Sequence, residues 1–314
     1  MTAAATASAR VIGISKDLKR SPKSVIIDGK KYVIMRTAKG VSMLNSVCPH
    51  RGATLCNGKV NHEANTITCP YHGWEFDSNG TLMSVPSSSH IPLRSDIQAY
   101  NVIEDGGFIW ACNKNDVLPT KYCDQLRDPS WGKVYGSKDL EGSLENWIMN
   151  LCDISHINFV HQFGNSQDSS ITDHRIEDHG EYIDCFAKVQ GEATSILTEH
   201  MQPKNGTSMH SRFVVPLTSI VHIHLDGYQF ITFSSLRSID DTHTHMSWCA
   251  LYMKSPLIDN AIARHILERS IYDVVAEDER VVKDIHNVPL MLNTAADTFQ
   301  LKAMKKAYIM LKTS

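Results

Sequence analysis

The sequence predicts an α+β fold, in which a small all-β domain is followed by a domain of antiparallel strands and helices. Residues 24–44 alternate apolar and polar side chains around turn-forming glycines, a pattern typical of short antiparallel strands. Residues 181–253 contain several further β-rich segments. Residues 256–287 and 295–312 repeat apolar side chains at helical spacing.

The elements of the first domain follow one another closely. Strand patterns continue through TITC, through WEFD with a Ser-Asn-Gly turn after it, and through FIWAC. A polar, proline-containing stretch at residues 113–132 then predicts a linker. We therefore expect an all-β domain over residues 1–115 and a mixed domain over residues 116–314, which opens with a helix at residues 144–162.

Composition limits the classes of protein. The chain of 314 residues is 42% hydrophobic and 21% charged, as in a packed globular protein, and is long enough for about two domains. A net charge of −3 argues against a protein that coats nucleic acid or an anionic membrane. No apolar run reaches about 18 residues, so we expect no membrane span. The eight dispersed cysteines favour reduced thiols and a cytoplasmic protein.

The segment CPHRGATLCNGKVNHEANTITCPYHGW, residues 48–74, concentrates side chains that bind metals. Cys48 and His50 form one pair, Cys69 and His72 form another, and 18 residues separate them. Structural zinc accepts two cysteines and two histidines, but its ligands are usually paired by type. A [2Fe–2S] cluster of the Rieske type has two cysteines on one iron and two histidines on the other. A mixed pair on each of two adjacent loops suits this cluster better than zinc.

CPHRGATL and CPYHGW resemble the two cluster-binding loops of Rieske domains, including the Arg-Gly and Gly-Trp that follow the histidines. The resemblance implies that both Cys–His pairs bind a [2Fe–2S] cluster. Ala53 and Tyr71 occupy the positions where respiratory Rieske proteins carry a disulfide, so the sequence resembles the soluble oxygenase and ferredoxin type. Cys56 is interpreted as a buried, small apolar side chain.

A second group of candidate ligands lies in ENWIMNLCDISHINFVHQ, residues 145–162. Asp153 and His156 are spaced to share one face of a helix. His156 and His161 are five residues apart, roughly 140° around a regular helix. The helix must therefore distort or end between them if both bind one metal. The alternative is two polar histidines on a surface helix.

A carboxylate that could complete this group is predicted from helical phase. An acid in the middle of an apolar stripe is buried, and a lone buried carboxylate is costly unless it is paired or binds a metal. Asp278 has this position, and we expect the other acids of the helix to point away from its buried face. The alternative to metal binding is that Asp278 forms a buried ion pair. The stripe consists of Ile271, Val274, Val275, Val281, Val282 and Ile285, and the other acids are Asp273, Glu277, Glu279 and Asp284.

ENW…NLCDISHINFVH and AEDERVVKDIH resemble the catalytic helix and the Glu-Asp-x-x-Val-Val motif of Rieske non-heme iron oxygenases. The resemblance implies that His156, His161 and Asp278 bind a mononuclear Fe(II). Two histidines and one carboxylate form the facial triad of such oxygenases, which leaves positions open for O2 and substrate.

The same resemblance implies that the protein is a homotrimer, a head-to-tail ring of three subunits. Asp153 would then bridge His156 to the cluster ligand His72 of the neighbouring subunit, in the manner of a carboxylate that orients a metal-bound imidazole. Asn150, one turn before Asp153, is expected to support the same site.

The function implied is that of an oxygenase with a Rieske domain and a helix-grip-like catalytic domain. It would use O2 and electrons from a separate NAD(P)H-dependent reductase or ferredoxin to hydroxylate or oxidatively demethylate a small organic substrate, such as a natural-product intermediate. A monooxygenase is favoured because the chain resembles members with a single type of subunit. The alternatives are an aromatic-ring dioxygenase and a Rieske electron carrier with an inactive second domain.

Overall fold

The computed structural model describes residues 9–163, 170–189, 207–225, 228–255, 259–286 and 292–313. These residues divide into two compact units. The first comprises Ala9–Val117 with the turn Ser238–Asp240, and the second comprises Leu118–Arg237 and the chain from Asp241 onward. The division thus falls slightly after the predicted boundary between residues 115 and 116.

The first unit consists of short strands in three sheets. The strands are β1 (Arg10–Ile14), β2 (Lys23–Ile27), β3 (Lys30–Thr37), β4 (Gly40–Asn45), β5 (Lys59–Asn61), β6 (Thr66–Thr68), β7 (Glu75–Asp77), β8 (Leu82–Ser84), β9 (Ala99–Tyr100), β10 (Val102–Asp105) and β11 (Phe108–Ala111). The sheet orders are β1-β11-β10, β2-β3-β4-β9 and β5-β6-β7-β8. At the turn between β2 and β3, Asp28 and Gly29 have φ of 48° and 72°, the left-handed pair that a two-residue hairpin requires.

The second unit is built on one large antiparallel sheet. Its order is β12-β18-β17-β16-β15-β14-β13. The strands are β12 (Trp131–Glu141), β13 (Ile171–Asp178), β14 (Tyr182–Val189), β15 (Thr207–Val214), β16 (Thr218–Leu225), β17 (Tyr228–Ser238) and β18 (His243–Met253). The α+β class predicted from the sequence is therefore confirmed.

Four α-helices accompany this sheet in the described part of the chain. They are α1 (Leu144–Leu151), α2 (Ile157–Val160), α3 (Ala261–Val282) and α4 (Thr298–Thr313). Trp147 of α1, Val282 of α3 and Phe299 of α4 are buried in one core with the sheet residues Cys185 and Trp248. No helix in the described residues is long and apolar enough to cross a membrane.

Two glycines of β12 let aromatic side chains cross that strand. Gly132 pairs with Tyr252 and Gly136 with Trp248 of β18. A Cβ atom at Gly132 would lie 2.0 Å from the Tyr252 ring, and one at Gly136 would lie 2.5 Å from the Trp248 ring. Glycine is needed at these positions because the space that a side chain would occupy is filled by the rings.

Candidate metal centres

The two Cys–His loops of the first unit have the same backbone structure. The Cys48 carbonyl accepts a hydrogen bond from the N–H of Gly52, and the Cys69 carbonyl accepts one from the N–H of Gly73, at 2.9 and 3.1 Å. Both glycines have left-handed φ, 74° and 73°. The glycine in each motif is therefore required by the turn that returns the chain after the histidine.

These loops bring the four predicted cluster residues together. Cys48 and Cys69 are buried, and their thiols lie close enough to interact. The rings of His50 and His72 have centroids 4.5 Å apart, and His50 stacks on Trp74 at 4.6 Å. His72 is exposed, so one edge of the group reaches the surface of the unit.

The chemistry of these side chains fits an iron–sulfur cluster. Burial raises the pKa of the Cys48 thiol, although the N–H groups of His50 and Arg51 bond to its sulfur and favour the thiolate. Partial burial and the charges of His72 and Arg51 lower the pKa of His50, which keeps its imidazole neutral, as metal binding requires. Nδ1 of His50 is buried and has no hydrogen-bond partner among the residues that the structure describes. An unpaired nitrogen beside two buried thiols suits coordination.

Cys56 belongs to the packing around the loops. It is half-buried against the core that contains Cys48 and Cys69, and its thiol lies 3.5 Å from the carbonyl oxygen of Tyr32. The sequence analysis expected a buried side chain, so Cys56 is more exposed than predicted.

The predicted helix at residues 144–162 is interrupted in the structure. Helix α1 ends at Leu151, and α2 contains only residues Ile157–Val160, with His156 and His161 at its two ends. Asp153 and His156 therefore do not share a face of one continuous helix. The interruption lies at Asp153, whose Oδ1 accepts hydrogen bonds from the N–H and hydroxyl of Ser155 at 2.7 and 2.6 Å. This side-chain acceptor competes with the helical hydrogen bonds.

His156, His161 and Asp278 come together from α2 and α3. Oδ1 of Asp278 lies 3.3 Å from Nε2 of His156 and 3.5 Å from Nε2 of His161. One ligand-type atom from each of the three residues lies within 4.8 Å of the others. Two imidazoles and one carboxylate converging in this way can hold a divalent iron.

Asp153 and Asn150 lie beside this group. Asn150 donates a hydrogen bond from Nδ2 to Oδ1 of Asp278 at 3.1 Å, which fixes the carboxylate. Asp153 places Oδ2 3.9 Å from Nδ1 of His156, too far for a hydrogen bond. Burial lowers the pKa of His156, but Asp278 and then Asp153 outweigh this effect, so the pKa is raised overall.

The predicted orientation of the acids on α3 is wrong for Glu277. Asp278 is buried as expected, but Glu277 is equally buried, and its Oε2 lies 3.0 Å from Nδ1 of His161. The apolar stripe is also narrower than predicted, since Val281 and Ile285 are exposed. Helix α3 packs against β12, α1 and α2, so its buried surface is broader and differently centred than a single stripe indicates.

A second group of ligand-type atoms comprises Glu177, His179 and Asp184. Arg212 already binds Asp184 through two hydrogen bonds of 2.7 and 2.8 Å. The guanidinium also stacks over Tyr182 at 4.1 Å. This group is better described as a paired arginine–carboxylate network than as a metal site.

Both parts of the chain match known families. Residues 9–100 match the Rieske [2Fe-2S] domain, and residues 140–311 match the vanillate O-demethylase oxygenase C-terminal domain. The second match alone covers more than half of the chain.

Individual relatives are more distant. The chain is 27% identical to cholesterol 7-desaturase of Hemicentrotus pulcherrimus over 158 residues, which are 47% of this chain and 34% of the relative. It is 30% identical to the oxygenase subunit of 3-chlorobenzoate-3,4-dioxygenase of Comamonas testosteroni over 165 residues, which are 50% of this chain and 37% of the relative. The chain thus matches little more than a third of the length of these two relatives.

A solved structure matches the fold over nearly the whole chain. The crystal structure of dicamba monooxygenase bound to dicamba superposes with a TM-score of 0.85 at 18% identity, covering 99% of this chain and 98% of that chain. Its similarity extends from the Cys–His loops to α4. With a Rieske domain, an oxygenase C-terminal domain and this fold, the chain belongs to the Rieske non-heme iron oxygenases, whose cofactors are a [2Fe–2S] cluster and a mononuclear iron.

Proposed function

We propose that the protein is an oxygenase that uses O2 and external electrons to hydroxylate or oxidatively demethylate a small organic substrate. The observation that carries the proposal is the convergence of His156, His161 and Asp278 within 4.8 Å in the second unit. An electron carrier with an inactive second domain would have no need to preserve this buried group of ligands.

In this proposal the two domains have different functions: the Rieske domain, residues 1–115, transfers electrons, and the catalytic domain, residues 116–314, carries out the reaction with O2. Cys48, His50, Cys69 and His72 hold the cluster, while the two imidazoles and the carboxylate of the second unit hold Fe(II). When bound, the cluster supplies single electrons and the iron supplies a site at which O2 is activated. In the net reaction, O2, two electrons and two protons convert a C–H bond to C–OH and release water.

The neighbouring side chains prepare the iron ligands for this role. Asn150 holds Oδ1 of Asp278, and the nearby negative charge of Asp153 favours a proton on Nδ1 of His156. That tautomer leaves the Nε2 lone pair free for a metal. Asp153 stays half-exposed, so it remains available to a partner group.

We propose further that subunits assemble as a head-to-tail homotrimer in which Asp153 of one subunit meets His72 of the next. The exposure of His72 supports this arrangement. A separate NAD(P)H-dependent reductase or ferredoxin would reduce the cluster. The absence of disulfides among the cysteines, all of which lie in the described residues, supports a reducing, cytoplasmic location.

Monooxygenation is the preferred reaction, because the second unit matches the vanillate O-demethylase oxygenase C-terminal domain over residues 140–311. Dioxygenation of an aromatic ring is the second candidate, favoured by the 30% identity to the subunit of a chlorobenzoate dioxygenase. The two differ in the number of O2-derived oxygen atoms that enter the product.

The test combines metal analysis with turnover. The purified protein should be red-brown, give a Rieske-type EPR signal and contain about three irons per chain. O2 uptake with a surrogate reductase should then be screened against small aromatic, methoxylated and steroid-like compounds, and ¹⁸O2 labelling of any product counts the inserted atoms. An iron content of about two per chain in fully reconstituted protein would favour the electron carrier, and a colourless protein would favour zinc.

A further inference from the structure

Glu277 places a buried carboxylate against His161, one of the proposed iron ligands. Both side chains are almost completely buried, with 7% and 5% of their surface exposed, and Oε2 of Glu277 lies 3.0 Å from Nδ1 of His161. A buried carboxylate is costly unless a partner compensates its charge. Glu277 is therefore retained next to His161 at an energetic cost, which indicates a specific role.

The direction of the contact identifies that role. A carboxylate can only accept a hydrogen bond, so Nδ1 of His161 must carry the proton. Nε2 of the same ring then has a free lone pair, and this atom lies 3.5 Å from Oδ1 of Asp278. The carboxylate of Glu277 thus selects the tautomer in which His161 faces the metal group with an unprotonated nitrogen.

The backbone does not hold this ring in place as a helix would. His161 follows the last residue of α2 and has extended φ and ψ of −94° and 142°. Its ring has two described ring contacts: an edge-on contact with His156, with centroids 5.2 Å apart, and a stack on Phe163 at 5.0 Å, where Phe163 is itself 39% exposed. Neither ring contact is directional, so among the described residues the hydrogen bond to Glu277 is the contact that defines which way Nδ1 of the imidazole points.

His156 and His161 differ in whether a carboxylate lies at hydrogen-bond distance from Nδ1. Oδ2 of Asp153 lies 3.9 Å from Nδ1 of His156, whereas Oε2 of Glu277 lies at hydrogen-bond distance from Nδ1 of His161. A ligating imidazole normally donates its second N–H to a carboxylate, carbonyl or water, which raises its basicity toward the metal. Within this chain, Glu277 supplies that interaction for His161.

Resting on the iron site proposed above, we infer that Glu277 is a positioning residue that orients His161 and sets its tautomer, and so strengthens metal binding at the mononuclear centre. It is adjacent in sequence to Asp278, so one turn of α3 supplies both a metal ligand and the group that prepares a second ligand. Glu277 itself points at Nδ1 of His161 and has no direct part in coordination.

The test measures metal affinity and tautomer separately. Glu277→Leu keeps the volume and removes the acceptor, Glu277→Gln keeps an acceptor oxygen without the charge, and Asp273→Asn alters an exposed acid on the same helix. Fe(II) affinity is measured in cluster-loaded protein by competition with a chelator, after removal of the third iron. ¹⁵N NMR of labelled histidines in the same protein without the third iron, with the cluster oxidised, reports which ring nitrogen of His161 carries the proton when no metal selects it.

We expect Glu277→Leu to weaken Fe(II) binding by about 10–100-fold, the usual loss when such a partner is removed, and to mix the two tautomers of His161. Glu277→Gln should retain the Nδ1–H tautomer with a smaller loss of affinity, and Asp273→Asn should match the unaltered protein. Unchanged affinity in Glu277→Leu would overturn the inference. Weaker binding with the tautomer preserved would also overturn it, because the effect would then be one of packing.

His161→Ala separates this inference from the proposed function. If His161→Ala retains the third iron, the iron site itself is wrongly assigned. If His161→Ala loses the iron while Glu277→Leu binds it normally, only the role of Glu277 is refuted. If Glu277→Leu does not fold, Glu277→Gln provides the test. The inference would be overturned if Glu277→Gln bound Fe(II) as tightly as the unaltered protein while the two tautomers of His161 were mixed.

Discussion

Replacement of Asp278 by alanine is the most informative single perturbation of this protein. Oδ1 of Asp278 lies 3.3 and 3.5 Å from the Nε2 atoms of His156 and His161 and accepts a hydrogen bond from Asn150 at 3.1 Å. Asp278→Ala removes the only negative charge among the three proposed iron ligands and leaves the two imidazoles facing each other. The cluster loops belong to the other unit and should be unaffected.

The expected loss can be estimated from the energetics of protein metal sites. A structural zinc ion with four ligands contributes roughly 10–16 kcal/mol, which is about 3 kcal/mol per ligand. Loss of one ligand of this strength weakens binding by about 100-fold. The iron content should therefore fall from about three to about two per chain, with the red-brown colour retained and no product formed. Asp278→Glu should keep part of the iron, because its longer side chain retains the charge but displaces it.

Iron analysis by mass spectrometry, together with EPR of the cluster, measures this outcome. Asp284→Ala is the matched control, since Asp284 is an exposed acid just beyond the same helix. Glu277→Ala is unsuitable as a neutral control because Glu277 contacts His161. If Asp278→Ala binds the third iron normally while Asp284→Ala or Glu277→Ala loses it entirely, the wrong acid has been assigned as the ligand.

Further predictions concern the cluster, the bridge, the arginine network and the sheet. Cys69→Ser should abolish the Rieske EPR signal, while Cys56→Ser should leave it unchanged. If the cluster is retained in Cys69→Ser, Cys69 is not a cluster ligand. Asp153→Ala should keep both metal centres, by iron analysis, yet reduce turnover by more than the roughly 10–100-fold typical of residues that support metal ligands. Fully coupled activity in that variant would exclude the bridge. Burial acts to raise the pKa of Asp184, but the hydrogen bonds from Arg212 and the nearby imidazole of His210 outweigh this effect and lower the pKa overall. The stabilising contribution of Asp184 is therefore complete above pH ~4 and is lost as the pH falls below the pKa of the unfolded state. Asp184→Asn should accordingly lower the free energy of unfolding by about 3–5 kcal/mol at pH 7 and by less near pH 2, measured by denaturant titration; an equal loss at both pH values would contradict the pairing. Gly136→Ala should destabilise the second unit by about 1–3 kcal/mol through overpacking against an indole ring, seen as a lower Tm, and an unchanged Tm would show that the ring can move aside.

Local sequence signals were sufficient for the cluster loops and insufficient for the iron site. Each loop contains its proposed ligands, its left-handed glycine and its return hydrogen bond within a few residues, so the motif predicts the structure of the loop. The interruption of the helix after α1 was predicted only because His156 and His161 could not otherwise bind the same metal. Its cause, the acceptance of the Ser155 N–H by Asp153, is a local signal in the pattern Asp-x-Ser that could have been used.

The burial of Glu277 depends on information that helical periodicity does not contain. A hydrophobic stripe locates the face of α3 that packs on one neighbour, but α3 packs against both a strand and the end of α2. The position of His161 opposite Glu277 arises from a contact between residues 116 positions apart in the chain. Such contacts follow from the tertiary arrangement, and one sequence without its relatives does not reveal them.

The spacing of the two metal groups along the chain has a consequence for biosynthesis. The proposed cluster ligands all lie between Cys48 and His72, within a unit whose main segment ends at Val117. The proposed iron ligands, in contrast, extend from His156 in α2 to Asp278 in α3. Because domains fold as units from the N-terminus during synthesis, all the proposed cluster ligands are synthesised well before the last proposed iron ligand. Cluster insertion can therefore precede the end of translation, whereas iron loading must wait until α3 has been synthesised and packed.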